Sequence, residues 1–423
     1  MDRGPHEFER FLLKGCMLIG LAAVLLSSCG KEEPQSKAES LEKRLEQLRS
    51  VPYTSLTEEA GSGASGVTLL DTARAWPGYN LYCSRTSPEA FLIDMAGAVA
   101  HRWSYQQADS RTWDYALLLE GGDLVILNKF VNVFRLDRNS NMIWARPLEV
   151  HHEITEDGEG NFYVIQREKR PYRGVDVRFA SILHLGPDGE TLDRWSTYDS
   201  LDEIREKFNR QSFLDNILDS LDVEVDEEAG ARGDLSANLR SRKQKVYDYF
   251  HLNAISLLPD TPLGRKDSRF AEGNLLICLR NVNQIAVLDK TNKEIRWVWG
   301  EGSLEWPHHP TMVENGNILV FDNGVVRGYS RVVEVNPLSG TIEWEYIATP
   351  PPAFYSPSKG SAERLPNGNT LICEGDKGRA FEVTPQGEPV WDWLNPNLEA
   401  GRRVQVYRMI RYRCDEVEAW LDN

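Results

Sequence analysis

The sequence predicts an all-β fold, a six-bladed β-propeller. Two observations carry that expectation: a turn-plus-strand pattern that occurs six times, and an aromatic residue near the end of a later strand in each copy. The copies open with "GYNLYC" at Gly78, "GDLVIL" at Gly122, "GNFYVI" at Gly160, "GNLLIC" at Gly273, "GNILVF" at Gly316 and "GNTLIC" at Gly368. A tight turn followed by a short run of β-branched, leucine and aromatic residues marks a strand after a hairpin. A second strand follows in each copy, "FLIDMAG", "VFRLDRN", "ILHLGPDG", "IAVLDKTN", "VVEVNPLSG" and "AFEVTPQG", each closing in a polar turn. A third strand carries Trp103, Trp144, Trp195, Trp299, Tyr346 or Trp393. Apolar residues before each first glycine, as in "HPTMVEN" and "SAERLPN", supply the fourth strand of a blade. The first glycines stand 44, 38, 113, 43 and 52 residues apart. A blade takes roughly 40 to 50 residues, so the widest gap holds an insertion. One blade cannot bury its own faces, so the six form a single domain, residues 67–423.

The insertion covers about residues 198–250, between blades three and four. Leu201, Ile204, Phe208, Phe213, Ile217, Leu218 and Leu221 recur near helical spacing, which predicts a helical excursion on the rim. Its ordinary role is a structural cover; a lid or a docking helix is the sharper reading. The tail "RRVQVYRMIRYRCDEVEAWLDN" begins with alternating residues and offers a strand that closes the ring beside the first blade.

Ahead of the propeller the chain reads as an export signal. Arg10 and Lys14 precede the apolar run "GCMLIGLAAVLL", too short to span a membrane as a mature helix. "LSSCG" resembles a bacterial lipobox. Residues 1–28 are then a signal peptide, Cys29 the lipidated new N-terminus, and 29–66 a tether with a short charged helix at "SLEKRLEQLRS". An ordinary signal peptide cleaved nearby is the alternative. The expected location is outside the cytoplasm, lipid-anchored to a bacterial membrane at the outer-membrane periplasmic face or the cell surface. A net charge of −16 over 423 residues argues against a nucleic-acid surface. Beyond the signal, Cys83, Cys278, Cys373 and Cys414 remain, with no CxxC pair and no Cys/His zinc spacing. The first three end their Gly-initiated strands and are expected as buried thiols; a Cys83–Cys414 bridge becomes available if the tail closes the first blade.

Seven residues before each turn glycine lies the start of the innermost strand, where a propeller faces its channel. The slots are Asp71, Tyr115, His152 (after eight residues), His251 in "HLNAISL", His309 and Ser361. Three of eight histidines thus share one repeat position in three successive blades. Their neighbours His151 and His308 are expected to point elsewhere, because strand side chains alternate, although a one-residue slip would exchange His308 and His309. Imidazoles meeting in a funnel fit nucleophilic and acid–base chemistry, a three-histidine metal site, or hydrogen bonds to crowded channel backbone. The metal reading is the weaker: no two of these histidines share local spacing on one element. Arg327 and Arg331 in "FDNGVVRGYSR" return toward the same side, and arginine beside histidines suits a sulfate or phosphate group. A solvated loop charge is the bland alternative.

The stretches "LIDMAGAVAHRW", "HHEITEDGEGNFYV", "HLNAI", "WPHHPTMVENGNILVFDNG" and "GSAERLPNGNTLICEG" resemble the bacterial arylsulfotransferases, exported six-bladed propellers. The last two are the specific ones, and the resemblance runs from "GVTLLDTARAWPGYNLY" onward. It implies sulfuryl transfer from an aryl sulfate to a phenol, with no cofactor and with a histidine that takes the group. It also implies His251, His309 and Arg327 at catalytic positions and Asn253 orienting the substrate. His152, Tyr115, Ser361 and Arg331 would complete the substrate site. In the family the covalent histidine lies in a later blade, beyond the arginine. This chain has no histidine after His309, and Ser361 stands at that entrance. Either His309 or His251 takes the covalent role, or the chemistry is lost and the propeller binds a ligand or protein partner. Quinoprotein-type dehydrogenases fit less well, since their eight-blade repeat and metal ligands are not visible.

Overall fold

Each Gly-initiated run pairs antiparallel with the runs on either side of it, and the result among the described residues is six four-stranded blades, two of which gain a fifth strand, with a small three-stranded sheet beside them. This is a computed structural model, and it describes residues 56–59, 63–106, 112–208, 215 and 247–421. The signal peptide, Cys29, the charged helix read at 40–50 and most of the insertion lie outside the described residues. The innermost strands of blades two to six are Tyr115–Leu118, Val150–Glu156, Leu252–Leu257, His308–Met312 and Ser361–Arg364. The next strands, such as Leu275–Leu279 and Ile318–Asp322, are buried at every position, because neighbouring blades cover both of their faces. Outer strands such as Thr191–Ser196 are largely exposed.

Both ends of the described chain close the ring. Met409–Tyr412 is the innermost strand of blade one, with Met409 opposite Tyr82 and Tyr412 opposite Tyr79. Gly66–Leu70 instead lines the outer edge of blade six, with Leu70 opposite Trp391. This corrects the Asp71 slot: Asp71 follows that edge strand and holds Arg74 at 2.7 Å on the surface, while Arg408 of the tail takes the entrance of blade one. Gly78 is likewise no turn glycine. A Cβ there would meet the Tyr412 carbonyl at 2.4 Å, so it is small to admit the closing strand. Gly316, at φ 88°, is a true left-handed turn residue.

Indoles stitch blade to blade. Trp144 donates to the Pro187 carbonyl at 2.9 Å, Trp297 to Pro337 at 3.0 Å and Trp344 to Pro385 at 2.8 Å. Trp391 of blade six donates to Met95 of blade one at 2.9 Å, completing the ring. A buried indole N–H needs such a partner.

Two helices flank the blades among the described residues. α1, Leu201–Lys207, opens the insertion as predicted, buries Leu201 and Ile204, and accepts Ile295 N–H on Glu203 at 2.8 Å. α2, Cys414–Leu421, follows the closing strand and packs Trp420 on the Gly122 turn. No helix among the described residues is long and apolar enough to cross a membrane. Cys83, Cys278 and Cys373 are buried free thiols, and Cys414 is also free. The tail does close blade one, but its antiparallel register carries Cys414 past the Tyr79 end while Cys83 sits at the other. Six residues of strand separate them along the tail, on the order of 20 Å, far beyond disulfide reach.

Candidate active site

Register breaks shape the mouth of the channel. His151 pairs Ile165 but Ile154 pairs Val164; Leu252 pairs Leu279 but Ala254 pairs Cys278; His308 pairs Phe321 but Thr311 pairs Leu319. His152, His251 and His309, beside or within these bulges, have φ of 68°, 52° and 46°. A non-glycine residue held there costs about 1–3 kcal/mol and persists only where its surroundings fix it. The bulges also abolish strict alternation, so the expectation that His151 and His308 point elsewhere is overturned.

The described residues bring His151, His152, His251 and His308 into one electrostatically coupled cluster. The His151 and His152 rings lie 4.8 Å apart, and those of His152 and His251 4.9 Å. His152 Nδ1 meets the Tyr407 hydroxyl at 2.8 Å. Asp248 Oδ2 accepts from His251 Nδ1–H at 2.6 Å, and Asp248 Oδ1 accepts the His251 backbone N–H at 3.1 Å. Since a carboxylate can only accept, His251 keeps its lone pair on Nε2.

The His308 tautomer follows from a longer chain. Asn323 Nδ2 donates to the carbonyls of Ser356 and Lys359, at 2.5 and 2.8 Å, which leaves Oδ1 facing His308. His308 Nδ1–H therefore donates to that oxygen at 2.7 Å, and also approaches the Trp306 carbonyl at 3.1 Å. Its Nε2 is buried with no hydrogen-bond partner.

Cations surround the imidazoles. Arg280, almost fully buried, lies 4.4 Å over the Trp306 ring. Burial first, and the Arg280 charge second, push His251 down to about 4 and His308 down to about 3. Burial also holds Lys129 well below the usual lysine range, helped by Arg85, Lys359, Arg178 and Arg280. Arg85 pairs with Asp114, Lys359 with Asp376 at 2.8 Å, and Arg178 reaches Asp248 at 3.8 Å. Basic side chains paired with Asp114, Asp376 and Asp248 thus line the histidine cluster.

These imidazoles make stability pH-dependent. Their folded pKa values lie below the ordinary 6.5, so the unfolded chain takes up protons first as pH falls. The stabilisation is full above pH 6.5 and is lost toward pH 4 and then 3. The melting temperature should fall steadily from pH 6.5 to 4 in a thermal scan; a flat profile would contradict neutral, buried histidines.

The residues predicted from the repeat divide into two groups. His152 and His251 join the cluster. His309 does not touch either: its Nδ1 meets the Ala362 carbonyl at 3.1 Å, and its charged neighbour is Arg408. Arg408 forms a buried pair with Glu153 and lies 4.8 Å over Tyr115, so Tyr115 belongs with this deeper layer. Ser361 is buried opposite Cys373. Asn253 Nδ2 donates to the Pro307 carbonyl at 2.9 Å, tying blade four to blade five. Arg327 and Arg331 both bind the buried Asp322, at 3.1 and 2.9 Å, rather than any histidine. Asp322 ends a fully buried strand and needs cations of its own.

Asp248, Arg280, Lys129 and His308 escaped the slot count. A second repeat position would have found two of them. Seven residues after the first glycine stand Arg85, Lys129, Arg167 and Arg280 in blades one to four, and Asn323 in blade five. In blades one, two, four and five that position follows the second strand, whereas in blade three Arg167 lies within the strand Phe162–Tyr172 and pairs with Glu149.

Residues 116–395 match the family described as Arylsulfotransferase (ASST). Comparison with curated proteins returned no match. Among solved structures, the chain is similar to a Bacteroides caccae protein of unknown function, at 13% identity over 80% of this chain and 100% of that one, TM-score 0.45. It is similar to a streptogramin B lyase at 11% identity, over 85% of this chain and 96% of that one, TM-score 0.45. A catalytically inactive virginiamycin B lyase from Staphylococcus aureus with quinupristin matches at 9% identity, over 80% and 90%, TM-score 0.42. The family match spans well over half of the chain and contains every histidine of the mouth, and the protein belongs to the arylsulfotransferase family.

Proposed function

We propose that the protein transfers a sulfuryl group from an aryl sulfate to a phenol through an imidazole at the propeller mouth, without a cofactor. One observation supports this above the rest: two buried neutral imidazoles, His251 and His308, keep their Nε2 lone pairs beside the Arg280 charge. A sulfuryl centre needs a nucleophile, cations for its oxygens and a group that handles the phenol's proton. An imidazole lone pair attacks sulfur as the S–O bond to the aryl group breaks. Arg280 and the surrounding cations hold the sulfonate oxygens and the departing phenolate. His251, oriented by Asp248, removes the proton of the incoming phenol.

The absence of a histidine at Ser361 favours a second reading, a propeller that binds a ligand without turnover. A transfer assay separates the two. With 4-nitrophenyl sulfate and phenol, the protein should release nitrophenolate and form phenyl sulfate, and Arg280→Ala should cut the rate about 100-fold or more while still folding. No transfer across a panel of aryl sulfates would overturn the enzymatic reading. Export and lipid anchoring at Cys29 complete the proposal, supported by the "LSSCG" stretch alone; labelled palmitate should enter the protein and be lost in Cys29→Ser.

A further inference from the structure

We infer that the propeller carries a second ligand site, at the end of the inner strands away from the mouth, that takes a small organic cation with an apolar body. The inner strands of blades five and six start at the mouth with His308 and Ser361 and end at Met312 and Arg364. At that far end, between the two strand ends and Pro259 of blade four, lies a cleft of about 520 Å³. Small-molecule sites run from about 300 to 1,000 Å³ and combine an apolar lining with a few polar groups. At about 3.3 Å per residue, the strand His308–Met312 sets this cleft roughly 13 Å from the histidine mouth.

The floor of the cleft is apolar. Met312, Val313 and Leu365 are buried and line it, and a methionine adapts its shape to what it meets. Its charge is negative. Glu314, Glu334 and Glu363 line it against one cation, Arg364, among the described residues. Arg364 is already engaged: it donates to Glu334 at 2.7 Å and to the Gly368 carbonyl at 3.0 Å, and lies 4.6 Å over the Trp344 ring. Asn315 and Asn317 donate to the same Glu334 carboxylate at 2.9 and 2.8 Å. That network closes on itself, which leaves Glu363, and Glu314 at the exposed rim, to meet a ligand.

Glu363 is the group that selects the cation. Its carboxyl is supported by the Arg411 backbone and faces Arg408 and Arg411, with Glu416 of α2, Tyr115 and Tyr412 also near. Burial outweighs the two arginines and pushes this carboxyl up to about 7. A buried carboxyl gains most from an added cation, which returns it to its charged form. An aryl sulfate, being an anion, meets the wrong sign here, so the cleft is separate in chemistry as well as in place from the site proposed for transfer.

The test uses the whole protein and two probes of one shape, 2-phenylethylammonium and the neutral 2-phenylethanol, in calorimetric titrations with hydrogen exchange to locate them. The ammonium should bind at least about tenfold more tightly than the alcohol at pH 8, the ratio expected for a hydrogen bond to a charged carboxylate. It should slow exchange over residues 311–315 and 363–368, which line the cleft. Glu363→Gln keeps the shape, and should weaken the ammonium about tenfold or more while leaving the alcohol unchanged. A pH series on the unaltered protein is the second check. The ammonium stays charged throughout, so its affinity should rise between about pH 6 and pH 8 as Glu363 ionises. Equal binding of the two probes, an ammonium affinity untouched by Glu363→Gln or by pH, protection confined to other segments, or no binding of either probe would overturn the site.

Discussion

Asp248→Asn is expected to lower sulfuryl transfer by about 10²–10⁴-fold in a protein that still folds, because it inverts the tautomer of His251. The carboxylate accepts twice from that residue, at ring and backbone. Burial alone would raise the Asp248 carboxyl, but His251 and the nearby Arg178 and Arg280 outweigh it and hold it below the usual carboxylate range. It therefore stays an anion at every working pH and holds the ring proton on Nδ1, with the lone pair on Nε2. An asparagine amide can turn its N–H₂ toward Nδ1. The ring proton then moves to Nε2, and His251 cannot take a proton from the acceptor. Steady-state transfer rates, with a melting curve to confirm folding, check this. A loss smaller than about tenfold would remove His251 from the proton path.

Arg411→Met should have the largest effect on stability, about 3–5 kcal/mol. Arg411 and Glu382 are fully buried and pair blade one with blade six. Arg411 also donates to Asn80 Oδ1 at 2.8 Å and to the Trp76 carbonyl at 2.9 Å, and stacks 4.9 Å over Trp391. Removing it leaves Glu382 charged and buried at the seam where the ring closes. Urea unfolding measures the loss, and the double variant Arg411→Met/Glu382→Leu should recover much of it, because no charge is then stranded. A loss below about 1 kcal/mol would mean that the seam is held elsewhere.

The propeller was legible because its repeat is written in turn glycines and strand runs. Gly122, Gly160, Gly273, Gly316 and Gly368 all take left-handed φ in turns before their strands. Blade one misled the count because its inner strand comes from the other end of the chain, and no local spacing around Gly78 encodes Arg408. The histidine-rich mouth was legible as a place but not in its register. Period-two alternation put His309 inward and His308 outward, but with a register break between His308 and Thr311, His308 joins the histidine cluster while His309 sits against Ala362 of the next blade. Arg327 looked like a site residue from its position after "DNG", yet the buried Asp322 claims it. Which charge meets which carboxylate is set by packing across blades, and spacing within one blade does not reveal it.

The central claim, transfer through a covalent imidazole, is tested most directly by a rapid-mixing experiment with 4-nitrophenyl sulfate before any acceptor is added. A burst of nitrophenolate equal to the enzyme concentration, followed by slow release until phenol is supplied, is the predicted result. Nitrophenolate release with no burst at any acceptor concentration, or no release at all, would contradict it.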